Sequence, residues 1–166
     1  MKTKLLTLLL LLMATVATQA QTLTDKIWIA DVSDDESDVA LIMSFEGSEC
    51  AIIVALEEVD EEEDGMKITM NARLLVQGTY SVNGDQLTLS LDTDNAKSDI
   101  SFDIEGVDDA TRALVKSTME SAIDKEKDNL NNALKAFVPT STTHTIFSLT
   151  DTELVLDGKL AFTVMQ

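Results

Sequence analysis

Seven acids crowd the nine residues Glu57-Glu58-Val59-Asp60-Glu61-Glu62-Glu63-Asp64-Gly65, and two further acidic runs occupy Asp31 to Asp38 and Asp92 to Asp99. Carboxylates at this density could coordinate a hard cation such as Ca²⁺ or recruit a cationic partner by focusing negative potential. None of the runs has the Asp-x-Asp-x-Asp-Gly spacing of a calcium loop. Consecutive acids on an extended chain also point to opposite sides, so only some of Glu57, Asp60, Glu62 and Asp64 could converge. Solvated acidic loops are therefore expected, with weak Ca²⁺ binding or a cationic partner as the functional alternatives and no metal ligand singled out.

Nucleophilic chemistry finds little support. Cys50 and His144 are the chain's only cysteine and histidine. Cys50 alternates with Ile52, Val54 and Leu56, which places it on the buried side of a strand as an inert thiol. His144 lies far away in the sequence, and one Cys with one His cannot build a zinc site. There is no serine elbow or phosphate loop. Acid/base catalysis needs a desolvated carboxyl, whereas these acids sit in hydrophilic loops. The expectation is a non-enzymatic protein with no catalytic residue and no cofactor.

The chain has 12 Lys and Arg against 30 Asp and Glu, a formal charge of −18. Such a surface repels phosphate, which excludes nucleic-acid binding and disfavours anionic membranes. Residues 1–20, "MKTKLLTLLLLLMATVATQA", combine Lys2 and Lys4 with an apolar stretch and small residues ending at Ala20, the pattern of a secretory signal peptide. Nothing later is apolar for long enough to span a bilayer as a helix. An exported protein, periplasmic or secreted, follows as the expectation, with residues 21–166 forming one domain. A lone cysteine leaves no internal disulfide, so packing must supply the stability.

The elements that would position these residues are mostly strands. Period two dominates. "VALIMSFEGSECAIIVAL" predicts two strands around Glu46-Gly47-Ser48. Met66, Ile68, Met70, Ala72, Leu74, Val76, Gly78, Tyr80 and Val82 then share one side of a very long strand, with Leu75 out of phase and Gly78 a place to bend. Asn83-Gly84 suits a tight hairpin. Leu87, Leu89 and Leu91, then Ile100, Phe102 and Ile104, continue the inward set. From about residue 108 to 137 the period changes to three and four through Val115, Met119, Ala122, Ile123, Leu130, Ala133, Leu134 and Phe137, predicting an amphipathic helix that starts at Asp108-Asp109 and is closed by Pro139. Strands resume through "THTIFSL", "ELVLDG" and "KLAFTVM", with Asp157-Gly158 as another tight turn. The predicted fold is mainly β, an antiparallel up-and-down barrel of about 8–10 strands with one long inserted helix.

"GTYSVNGDQLTLSLD", Trp28 near the start and the closing "FSLTDTELVLDGKLAFTVM" resemble the lipocalin-like, calycin-type β-barrel domains of small exported bacterial proteins. The expected Gly-x-Trp is here Lys26-Ile27-Trp28, and the last strand has no Arg to stack on that Trp. The resemblance implies a small apolar ligand held in the barrel, with Phe45, Met66, Met70, Tyr80 and Phe102 as candidate ligand-binding residues and Phe147 and Phe162 as further wall residues. The same side chains could instead fill the core, with Trp28 plugging the barrel bottom. A protein-interaction module using an acidic rim or the helix stripe Val115, Met119 and Ile123 is the alternative. In a simple meander the three acidic runs would gather at one rim, and the helix would lie at the other end.

Overall fold

A computed structural model of the protein describes residues 22–33, 38–61 and 65–165, excluding the side chains of residues 126, 127, 130, 131 and 133–137. The predicted signal peptide, residues 34–37 and 62–64, and the helix side chains expected at Leu130, Ala133, Leu134 and Phe137 lie outside the described residues. Nine strands run in chain order as β1 (Ile27–Asp31), β2 (Asp38–Glu46), β3 (Glu49–Glu61), β4 (Lys67–Asn83), β5 (Gln86–Leu91), β6 (Lys97–Glu105), β7 (Ser141–Leu149), β8 (Glu153–Leu156) and β9 (Leu160–Val164). One helix, α1 (Asp109–Phe137), separates β6 from β7.

All pairings are antiparallel. Strands β1, β2, β3, β4, β5, β7, β8 and β9 pair in that order, and β9 returns to β1, which closes an eight-stranded barrel with no edge within the ring. The ninth strand, β6, pairs with β4. It does so on the side of β4 that β5 also uses: Gly78 to Asn83 pair with β5, while Lys67 to Leu75 pair with β6. The chain therefore does not reverse after β5. It steps along the edge of β4 and carries on, so that β6 and the first halves of β4 and the last residues of β3 form a flange below the ring.

That step corrects the expected placement of loops. The segment from Asp92 to Ala96 lies partway along the wall, not at the rim that holds the β1–β2 and β3–β4 connections. Because β6 ends opposite Lys67, α1 leaves from that same rim instead of from the opposite end. The acidic stretch is corrected as well. Glu57 to Glu61 continue β3 in register with Asn71 to Lys67, so the first five of these residues are strand, not loop. β4 holds all five extended from one side, while β2 reaches only as far as Glu57.

Alternation divides the residues as predicted. Within the ring the inward set forms one apolar cluster, in which Leu23, Trp28, Val76, Leu87, Leu154, Leu156, Phe45 and Phe162 are fully buried, while Met70, Ala72, Ile100, Phe102 and Ile104 lie outside it on the paired stretch of β4 and β6. A helical turn before β1 brings Leu23 beneath the indole, and Trp28 Nε1 donates to the Leu23 carbonyl at 3.0 Å. Trp28 is fully buried there, within the apolar cluster. At Gly78 the wall leaves no room for a side chain, since an added Cβ would stand 2.1 Å from the Ser90 carbonyl oxygen. Glycine is required because β5 begins to leave β4 at this point, where Gly78 pairs with Leu91. The Asp157-Gly158 turn has both residues at positive φ, 54° and 64°, the backbone of a type I′ hairpin, and Lys159 N–H donates to the Leu156 carbonyl at 3.0 Å. The hairpin after β4 is built on Gly84-Asp85, one residue past the expected Asn83-Gly84.

A bulge between Ile146 and Ser148 shifts the register of β7 against β8. Phe147, at that bulge and next after the inward Ile146, faces outward, 76% exposed and beside Gly158, so it is not a barrel-wall residue. No helix among the described residues is long and apolar enough to cross a membrane.

Candidate functional site

Strands β2 and β3 contain the near-continuous apolar runs Val39-Ala40-Leu41-Ile42-Met43 and Ala51-Ile52-Ile53-Val54-Ala55-Leu56. Runs of this kind belong to strands covered on both faces. The barrel core uses only one of those faces, through Leu41, Met43, Ile52 and Val54. Ala40 and Ile42 on β2, and Ala51, Ile53 and Ala55 on β3, alternate with these and face outward. Ile29 stands opposite Ile42, Ile42 opposite Ile53, and Ile53 opposite Leu75, an apolar row crossing four adjacent strands. All four are half-buried. Ile27, on the same face of β1, is exposed.

Beside this row the side chains shrink. Ala40 pairs with Ala55, which leaves a channel that leads from the isoleucines to Asp31, Asp38, Glu57 and Arg73. These residues, with Ile29, Ser33 and Asn71, line an open groove of about 380 Å³ on the outer wall. One edge is fixed by local hydrogen bonds. Asp31 accepts from Ser33 N–H at 3.0 Å and from the Ser33 hydroxyl, and that hydroxyl accepts from Val39 N–H at 3.0 Å. The bond from the Ser33 hydroxyl, then that from its N–H, holds the Asp31 carboxyl below the usual carboxylate range. It stays ionised. Further along the strands, Glu46 pairs with Glu49, placing a second acidic border on the other side of the row.

The five residues expected to bind a ligand do not form one pocket. Phe45 and Tyr80 meet inside the ring, ring centres 4.8 Å apart and edge to face at 65°. Met70 and Phe102 are paired across β4 and β6 in the flange, where Phe102 is buried on the strand that α1 contacts. Met66 precedes β4 at the flange tip. None of the five lines the outer groove.

The single thiol and imidazole are also separated in role. Cys50 is buried, and desolvation pushes its pKa up, which is the behaviour of an inert core thiol. His144 Nδ1 is 2.7 Å from Asp157 Oδ2, and its Nε2 is 3.2 Å from Thr142 Oγ1. Asp157 Oδ1 accepts from Thr145 N–H at 2.8 Å. The carboxylate thus clasps the β8–β9 turn onto β7. The His144 bond is the main cause holding the Asp157 pKa below its ordinary value, followed by the bond from Thr145. Period-two reasoning put His144 on a strand but offered nothing to join it to a turn 13 residues later.

Among the described residues no group of three or more His, Cys, Asp or Glu could hold a metal ion. In the Asp92 to Asp99 run, Asp92 accepts from Asn95 N–H at 3.2 Å and from Asn95 Nδ2 at 2.7 Å, so part of the acidity is used to close the turn. Along β3, Glu57, Val59 and Glu61 share the outer face while Glu58 and Asp60 take the other. Comparisons with family models, with curated proteins and with solved structures return no match.

Proposed function

We propose that this protein is an exported, non-enzymatic interaction module, lipocalin-like in architecture, whose barrel is a scaffold and whose outer face over β1–β4 engages a partner protein. The observation that carries the proposal is the apolar row Ile29, Ile42, Ile53 and Leu75 on the outside of a ring whose interior already holds a continuous apolar cluster. Aligned apolar side chains on an outer wall favour a partner surface over solvent. Uptake of a small apolar ligand has less support, since Phe45 and Tyr80 pack on each other in the core while Met66, Met70 and Phe102 lie in the flange.

The test is site-specific photocrosslinking in the producing cell, with the reactive residue at position 53 and, as a control, at the exposed outer position 143. A discrete protein adduct at 53 that is absent at 143 is the expected result. No adduct at 53, together with a native mass that carries an apolar molecule lost on denaturation, would replace this reading with ligand carriage.

A further inference from the structure

Resting on that reading, we infer that the partner presents a cationic amphipathic helix, which lies along the isoleucine row with basic side chains on both flanks. The row crosses three inter-strand steps of about 4.8 Å, roughly 14 Å, which is the length of about ten helical residues at 1.5 Å each. It is a ridge suited to one apolar stripe. Both sides of the ridge are acidic: along β2, Asp38 lies four residues before Ile42 and Glu46 four residues after it, each about 13 Å away at 3.3 Å per residue. The two borders are thus roughly 26 Å apart, wider than a helix about 10 Å across, and it is extended Lys or Arg side chains on its flanks that reach out towards them.

The channel at Ala40 and Ala55 sets the orientation of those side chains. A long aliphatic stem can rest on the two alanines while its charged head reaches Asp38 and Glu57, which pair directly across β2 and β3. The cation already in this border, Arg73, stands opposite Asp99, which offsets its charge. A second copy of the chain is the wrong occupant, because its own formal charge of −18 would bring acid against acid at both borders.

The probe is a fluorescein-labelled 14-residue peptide with Leu at helical spacing on one face and Lys elsewhere, titrated into residues 21–166 and followed by anisotropy. Two control peptides exchange Lys for Glu or Leu for Ser. Saturable binding of the Leu/Lys peptide alone is expected, weakened at least about tenfold by I42T/I53T and, separately, by D38N/E57Q. Threonine retains strand preference at positions 42 and 53, and circular dichroism reports folding of each variant. Equal binding by the Ser control peptide, or full affinity in I42T/I53T, would reduce the effect to charge attraction and overturn the inference. A captured segment at position 53 that maps by mass spectrometry to an acidic or neutral sequence would overturn the partner's chemistry while leaving the interaction module standing. Absence of any adduct there would remove both.

Discussion

Asp157 is held in the left-handed region at φ 54° and joins three parts of the molecule, its own turn, the Thr145 amide and the His144 ring. Because the native carboxyl pKa is depressed, the clasp contributes its stability above the ordinary carboxylate range and loses it as pH falls through the lower native value. Melting temperature measured from about pH 6 down to about pH 2 should therefore fall more in the wild type than in D157N, and the two curves should converge in acid. Asparagine tolerates the same backbone, so a D157N protein with an unchanged acid response would remove the clasp from the account. Gly78 tests a different kind of constraint. An alanine there drives a methyl into the Ser90 and Leu91 backbone, and G78A should cost about 1–3 kcal/mol in urea unfolding. An unperturbed midpoint would mean that β5 can move away from β4 freely.

At the scale of elements, α1 depends on its first turn. Asp108 Oδ1 accepts from Ala110 N–H at 2.9 Å and from Thr111 N–H at 3.0 Å, and Oδ2 accepts from the Thr111 hydroxyl at 2.8 Å. These bonds, the Thr111 amide foremost, hold the Asp108 carboxyl below its ordinary range. Arg112 then ties the helix to the sheet, its Nε donating to the Ile104 carbonyl of β6 at 2.9 Å. Over residues 113–125 the helix is largely exposed: Leu114 is 69% exposed, and Val115, Met119 and Ile123 are half-buried at every fourth residue. D108A should accordingly raise amide exchange in residues 109–115 while β2, β3 and β4 keep their protection. Raised exchange throughout the barrel in that variant would contradict a helix that opens independently. Helix and strands were legible because the apolar period changes cleanly at Asp108. The direction of the helix was not, since period two is the same whether β6 reverses beside β5 or continues along β4. Likewise, the out-of-phase Leu75 and the doubled isoleucine at Ile52-Ile53 marked an apolar outer face, but only the registers join those residues to Ile29 and Ile42 in one row.

For the whole molecule, a continuous apolar cluster inside the ring means that volume removed from it must be felt. Phe45 is 2% exposed and packs edge to face on Tyr80, at the side of β2 next to Cys50. Truncation to alanine removes the ring contact and leaves space that the surrounding strands, paired on both sides, can close only in part. F45A should cost about 3–5 kcal/mol. A domain of this size commonly has about 5–15 kcal/mol in hand, so the variant should still fold. The chain's only tryptophan, fully buried at Trp28, reports unfolding of the core directly. The new space would be apolar and dry, and a small probe such as benzene should raise the melting temperature of F45A while leaving the wild type unchanged. Stabilisation of the wild type by the same probe would mean that the barrel holds room without mutation. The balance would then move from the outer row of isoleucines to a ligand inside the ring, and Phe45 and Tyr80 would become its walls.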